Sequence, residues 1–334
     1  CLIKVSDNRT AFVNSVLDTS NATFSIRPVI NVTTPASGNN LVANSLAAIR
    51  WTYTGTQISA VNIEYSTNNG VNWSTVENNV AVTSNDTYNW LDGVPASATA
   101  QAKVRISDKD NLNVTNTSAA FNIIGNVSVT TPDGTENWEA GSVKTIFWNT
   151  AAVSQMNVSY SINNGTDWTH INTVAASAGE LNWTINEEVV PVSNQAKIKI
   201  RDNANALVND TSNATFAIIS YLNVTDPVDG NTVIAQEPYT ITWTQKGLGV
   251  NYVTLEYSTN AGGSWSYVVS TGNHTVSNTP NAGGSYNWLV PGDILSANCK
   301  IRITDPINAN ATMTGGGKFW LRGNLSVDSP AGEE

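Results

Sequence analysis

The chain has 334 residues, only 13% of them charged, with a formal net charge of −10. That length allows two or three domains, while so few cations argue against a basic groove for nucleic acid and give no support to membrane-surface binding through Lys/Arg. No run of about 18 apolar residues occurs, so no helical membrane span is expected in this window, and the Ser-, Thr- and Asn-based polarity suits an extracellular, cell-surface location.

In chain order, the first 28 residues carry "CLIKVSD" and Phe24-x-Ile26. A longer series follows over 29–124: Ile49-x-Trp51, "YSTNNGVNW" from Tyr65 to Trp73, Tyr88-x-Trp90, "AKVRISD" ending at Asp108, and Phe121-x-Ile123. The series returns over 125–219 as Ile146-x-Trp148, "YSINNGTDW", Leu181-x-Trp183, "AKIKIRD" and Phe216-x-Ile218. It returns again over 220–322 as Ile241-x-Trp243, "YSTNAGGSW", Tyr286-x-Trp288, "CKIRITD" and Phe319-x-Leu321. Tyr65, Tyr160 and Tyr257 are 95 and 97 residues apart, which marks tandem repeats. Residues 1–28 match the C-terminal half of a repeat and 323–334 the first strand of a further one, so the chain is expected to be a window on a longer array.

Within each repeat apolar residues alternate, the period of a strand. In "VNIEYST", Val61, Ile63 and Tyr65 face one way and Asn62, Glu64 and Ser66 the other. Gly, Pro, Asn and Asp punctuate the pattern every 8 to 15 residues. The predicted fold class is therefore all-β: tandem immunoglobulin-like β-sandwich domains in an elongated array. The three shared tryptophans of each repeat are expected in the core; Trp138 and Trp320 lie outside the shared set and are expected at surfaces or between domains.

Two resemblances follow from these motifs. Ser66-x-Asn68-x-Gly70-x-x-Trp73 resembles the Asp-box of sialidases, with Asn where that motif prefers Asp. The pattern Pro132-Asp-Gly-x-Glu136-Asn-Trp138-x-x-Gly141, then Ile146-x-Trp148, "KIKIRD" and Phe216-x-Ile218, resembles the Ig-like domain of the Ser/Thr-rich, GPI-anchored cell-wall protein family of yeasts. Similar tandem domains occur in bacterial and archaeal surface proteins, so this resemblance implies a fold and a location more than an activity. The repeats opening at Asn31 and Asn223 lack the Trp and Gly of "ENWEAG", which leaves their first hairpin open to a different form.

The residue inventory argues against an enzyme. Arg50, Arg105, Arg201, Arg302 and Arg322 are too dispersed for a sialidase arginine cluster, and His170 and His274 alone support neither a zinc site nor a catalytic triad. Asp108/Asp110, Asp226/Asp229 and Glu187/Glu188 suit calcium's preference for oxygen ligands, but they do not recur at matching positions and read better as solvated turns. The Asp closing each "ISD", "IRD" and "ITD" reads as an Asx-turn. Cys1 and Cys299, at equivalent places in different repeats, read as small apolar residues, with a covalent link to a neighbouring chain as the alternative. No cofactor is expected.

The recurrent feature with chemical content is the N-glycosylation sequon. It occurs at Asn8, Asn21, Asn31, Asn72, Asn85, Asn113, Asn116, Asn126, Asn157, Asn164, Asn182, Asn209, Asn213, Asn223, Asn273, Asn310 and Asn324. Asn31, Asn126, Asn223 and Asn324 mark every repeat junction. The expected function is structural: a surface filament, sheath, S-layer or stalk of glycosylated repeats, partnered by copies of itself or neighbouring repeats and in some settings by surface glycans. The alternatives are an adhesin stalk presenting a domain outside this window, or a non-catalytic accessory region of a secreted hydrolase.

Overall fold

Alternation along the sequence becomes alternation of burial. The computed structural model describes residues 1–7, 17–55, 58–82, 86–269, 272–279 and 282–324. Asn8, Asn85 and the last segment, 325–334, lie outside the described residues. Among those described, the secondary structure is strand throughout apart from one 3-10 turn, Ala176–Ala178.

Strands β1 (Lys4–Ser6) and β2 (Leu17–Thr19) pair antiparallel. Beside them Cys1 and Phe24 exchange backbone hydrogen bonds of 2.9 and 3.1 Å, the pairing that Cys299 and Phe319 repeat in the third full repeat. Residues 29–124 supply β3 (Val29–Thr34), β4 (Asn40–Val42), β5 (Ala47–Thr54), β6 (Ala60–Ser66), β7 (Ser74–Ala81), β8 (Thr87–Trp90), β9 (Thr99–Asp108), β10 (Thr115–Thr117) and β11 (Phe121–Ile124). They form a β3-β5-β8 sheet and a β4-β11-β9-β6-β7 sheet, with β10 added to β9. The opening stretch thus serves both sheets, β3 in one and β4 in the other, where β4 runs parallel to β11.

The same order returns twice. Residues 125–219 give β12 (Asn126–Thr131), β13 (Asn137–Glu139), β14 (Val143–Ala151), β15 (Gln155–Ser161), β16 (Thr169–Ala175), β17 (Glu180–Thr184), β18 (Ser193–Asp202), β19 (Asn209–Thr211) and β20 (Phe216–Ile219). Residues 220–322 give β21 (Tyr221–Asp226), β22 (Thr232–Ile234), β23 (Pro238–Lys246), β24 (Tyr252–Ser258), β25 (Ser266–Tyr267), β26 (Thr275–Ser277), β27 (Gly283–Leu289), β28 (Ser296–Thr304), β29 (Thr312–Thr314) and β30 (Phe319–Arg322). Each repeat is an immunoglobulin-like sandwich. By compactness the chain divides in two, residues 1–126 with 151–153 forming one unit and the remainder the other.

Each core sits between its two sheets. In the first full repeat Ile49, Ile63, Val104, Ile106, Phe121 and Ile123 are buried, and their counterparts Ile146, Val158, Ile198, Ile200, Phe216 and Ile218 are buried in the second. A Tyr–Trp pair crosses every core: Tyr65 with Trp90 at 5.1 Å, Tyr160 with Trp183 at 5.0 Å, and Tyr257 with Trp288 at 5.0 Å between ring centroids. Such tilted pairs add about 0.5–1.5 kcal/mol beyond their buried area.

Two expectations about tryptophan are corrected. Trp138 is core, 5% exposed and packed on Phe216 at 4.7 Å; Leu41 and Val233 occupy the corresponding place on β4 and β22. The first strand of the second sheet therefore forms in all three repeats with or without "ENWEAG". Conversely, Trp73, Trp168 and Trp265 are only half-buried and lie outside the cores. Trp320 is 38% exposed, as expected of a surface residue.

Candidate functional site

The recurring feature with the most side-chain chemistry is the hairpin after β6, β15 and β24. Ser66 is its hub. Buried at the end of β6, its hydroxyl donates to Asn68 Oδ1 at 2.9 Å and accepts the Asn68 and Gly70 N–H groups at 3.2 and 2.9 Å. Asn68 Oδ1 also accepts the Asn72 N–H at 2.9 Å. The turn needs consecutive positive φ values, 59° at Asn69 and 90° at Gly70, which Asn and Gly adopt with least strain. Ser161 with Asn163 and Ser258 with Asn260 repeat the arrangement, with the hub accepting from Gly165 at 2.9 Å and Gly262 at 2.8 Å. Only the acceptor oxygen of the Asn is required by the turn. In the second and third repeats its amide nitrogen is put to separate use, Asn163 donating to Asp167 at 2.8 Å and Asn260 to Ser264 at 3.0 Å, bonds that an Asp could not donate.

The hairpin is tied down from below and from the side. Below, Asn69, Asn164 and Ala261 donate their N–H groups to the carbonyls of Gln101, Gln195 and Asn298 at 2.8–2.9 Å. From the side, Trp73, Trp168 and Trp265 each lie under a cation of the neighbouring long strand. Arg105 sits 4.3 Å from the Trp73 ring, Lys199 4.3 Å from Trp168, and Arg302 4.4 Å from Trp265. Glu64 then binds Arg105 at 2.7 Å and Glu256 binds Arg302 at 2.7 Å. The second repeat has Ser159 in the glutamate's place, opposite Lys199 in the strand register. Sequence reasoning missed this Trp–cation–carboxylate stack, although the outward-facing Glu of "VNIEYS" and "VTLEYS" and the Arg of "KVRIS" and "KIRIT" were its signal.

A second recurring device closes β3 against β10. Val32 N–H donates to Asn116 Oδ1 at 2.9 Å, and in the next repeat Val129 N–H donates to Asp210 Oδ2 at 2.8 Å. Asn116 and Asp210 share one register position, opposite Ile106 and Ile200; Met313, opposite Ile303, fills it in the third repeat. The predicted Asx-turns are present: Asp108, Asp202 and Asp305 accept the N–H two residues on at 2.9–3.0 Å. Arg50, Arg201 and Arg322 are exposed, His170 is exposed, and His274 stacks on Tyr267 at 4.1 Å. Cys299 is buried, and that burial pushes its thiol upward, while Cys1 is exposed.

The sequons fall into groups. Asn21, Asn31, Asn72, Asn113, Asn164, Asn182, Asn213 and Asn273 are exposed. Asn209, Asn310 and Asn324 are exposed too, but their amide nitrogens donate to Ala206 O at 3.0 Å, Asn137 Oδ1 at 3.1 Å and Glu237 Oε1 at 3.1 Å. Asn116, Asn126, Asn157 and Asn223 are half-buried. Of these, Asn126 donates to Ala43 O at 3.3 Å, and Asn157 is held at both ends, donating to Asn203 at 3.1 Å and accepting from Thr173 at 2.6 Å.

Between the second and third repeats, inside one compact unit, a single residue, Ser220, separates β20 from β21. Val192 N–H bonds Leu248 O at 3.0 Å, Glu187 meets Lys246 at 3.3 Å, and Asn308 donates to Asn194 at 2.6 Å.

No protein-family model and no curated protein sequence matches the chain. Similar solved structures are tandem sandwich modules. The fibronectin(III)-like modules of Clostridium thermocellum CbhA are 13% identical, covering 57% of this chain and 94% of theirs, with a TM-score of 0.21. The N-terminal four Ig domains of Dscam1 isoform 6.9 are 10% identical, covering 89% and 74%, with a TM-score of 0.29. Titin domains I67–I69, in an E-to-A mutated variant, are 10% identical, covering 88% and 98%, with a TM-score of 0.28. At such values nothing about activity or partners follows from them. The chain is a tandem immunoglobulin-like repeat protein on the evidence of its own sheet order.

Proposed function

We propose that the chain is a structural component of an extracellular assembly, a surface filament, sheath, S-layer or stalk built from glycosylated Ig-like repeats, as its resemblance to cell-wall Ig-like domains implies. One observation carries the reading: three repeats use the same polar residues at the same positions to tie down their own hairpins. Serine hub, asparagine acceptor and stacked cation all serve the module, so their recurrence is explained by folding. The eight exposed sequons whose amide nitrogens have no bonding partner among the described residues are the preferred glycan sites, and the low charge lets copies pack with little repulsion.

Electron microscopy of native material tests the assembly, with filaments or a lattice expected; dispersed single particles alone would overturn it. Intact mass tests the glycans. Native protein is expected to exceed the bare polypeptide mass, and equality between the two removes this part of the proposal.

A further inference from the structure

The outer face of the second repeat's larger sheet differs from its counterparts in charge. Lys197, Lys199 and Arg201 alternate along β18 and point away from the core, three of the 16 Lys and Arg of the whole chain on one strand. Two-residue steps along a strand separate neighbouring side chains by about 6.6 Å, so the cations form a row. Across the face stand Asn157 and Ser159 of β15 and His170 and Thr173 of β16, and no carboxylate stands on this face: register opposes Lys199 to Ser159 and to Thr211. Lys197, Lys199 and Arg201 make no ion pair among the described residues. The other repeats keep the first cation of the row, as Lys103 and Lys300, and differ at the next two positions. Glu64 binds Arg105 and Glu256 binds Arg302, and the position of Arg201 is held by Ser107 and Thr304, whose hydroxyls bond Thr115 and Thr312. Partial burial, and to a lesser degree the neighbouring Arg201, hold the Lys199 ammonium below the usual lysine range.

A groove of about 350 Å³ opens on this face, lined by Asn157, Ser159, Trp168, His170, Lys199 and Arg201. It is shallow and polar. An amide, hydroxyls and the exposed part of an indole surround the cations, a lining that hydrogen-bonds sugar hydroxyls while the cations take a carboxylate or sulfate. Asn157 is fixed on both its amide atoms, so the groove floor is preorganised. We infer that this groove binds a linear acidic polysaccharide, whose charges align with the row of cations. The inference is independent of whether the repeats assemble into filaments.

The test uses the full chain made without glycans, with polygalacturonate as the probe, neutral dextran as control and single-stranded DNA as competitor. The wild-type chain, despite its net charge of −10, is expected to bind polygalacturonate and not dextran, with a log–log salt slope of about −2 to −3, as two or three charge contacts require. Ser159→Glu and Arg201→Ser install what the other repeats carry. Each is expected to weaken binding roughly tenfold and to lower the slope by about 1, with circular dichroism unchanged. Glu64→Gln in the first repeat is expected to leave binding intact. Absence of wild-type binding at low salt, or binding that survives both substitutions, overturns the inference. Single-stranded DNA that outcompetes polygalacturonate overturns the carbohydrate assignment.

Discussion

Replacing the first core tryptophan of each repeat by phenylalanine separates packing from hydrogen bonding within one chain. Trp51, Trp148 and Trp243 are equivalent and equally buried, at 3%, 4% and 3% exposure. Trp→Phe removes the same ring volume from each, so the cavity cost cancels to first order in a comparison. What differs is the indole N–H. Trp148 Nε1 donates to Ala176 O at 2.9 Å, a carbonyl that also accepts from Gly179, so its loss costs about 1 kcal/mol. Trp243 Nε1 donates to Asn278 Oδ1 at 2.8 Å, and Asn278 is buried, so the substitution strands an acceptor at about 1–3 kcal/mol. Trp51 Nε1 is buried with no partner among the described residues, and deleting it relieves a desolvation penalty of similar size. The expected order of destabilisation is Trp243→Phe, then Trp148→Phe, then Trp51→Phe, with at least about 2 kcal/mol between the extremes. Hydrogen exchange read by mass spectrometry on the full chain resolves opening repeat by repeat. A gap of that size is about thirtyfold in the exchange rate of the slowest amides. Equal losses in the first and third repeats, or a larger loss in the first, would refute the reasoning.

Ser161→Ala removes the hub that accepts two N–H groups, and a cost of about 1–3 kcal/mol is expected, seen as faster exchange of Asn163 and Gly165 with β18 protected as before. Asp305 is 1% exposed, and burial raises its carboxyl above the ordinary range against the opposing N–H groups of Ile307 and Asn308. A raised acid pKa means the folded state binds the proton more tightly. Its stability penalty is therefore absent below the unfolded value near 3.9, grows as pH rises toward the folded value, and is complete above it. Asp305→Asn is expected to stabilise the third repeat at pH 7 relative to pH 4, measured by the same exchange experiment, and an identical difference at both pH values refutes it. Thiol titration of the native chain is expected to count Cys1 alone, with Cys299 reacting only in denaturant; fast labelling of both refutes the burial assigned to Cys299.

The repeat length, the strand alternation and the Ig-like class were legible because they are local. "VNIEYST" shows its two faces without any knowledge of its neighbours. The errors arose where parity or identity was carried across a turn. Trp73 stands beyond two residues of positive φ, which reset the side-chain direction, so an aromatic in an apparently alternating stretch ended on the outer face. Trp138 was set apart by matching residue identity, whereas the position asks only for an apolar side chain, as Leu41 and Val233 show. The Glu64–Arg105 pair was hidden because it depends on register between strands 41 residues apart. Asn116 and Asn157 match the sequon as well as Asn31 does, and their partial burial and their bonds to Val32, Asn203 and Thr173 distinguish them.

That distinction separates what a repeat must keep from what it can change. The core Tyr–Trp pair and the serine hub are satisfied wholly inside one sandwich, and a hairpin cation lies half in solvent, where losing its carboxylate costs at most about 1 kcal/mol. The outer face can therefore exchange Glu64 for Ser159 or Ser107 for Arg201 without loss of fold. Modules of nearly constant interior then carry faces of different charge: paired around Glu64 and Arg105, cationic along β18, and hydroxyl-rich around Thr304 and Thr312. A repeat of fixed interior and free exterior lets one chain place different surfaces along its length, and the unneutralised row on β18 is where that freedom has gone furthest.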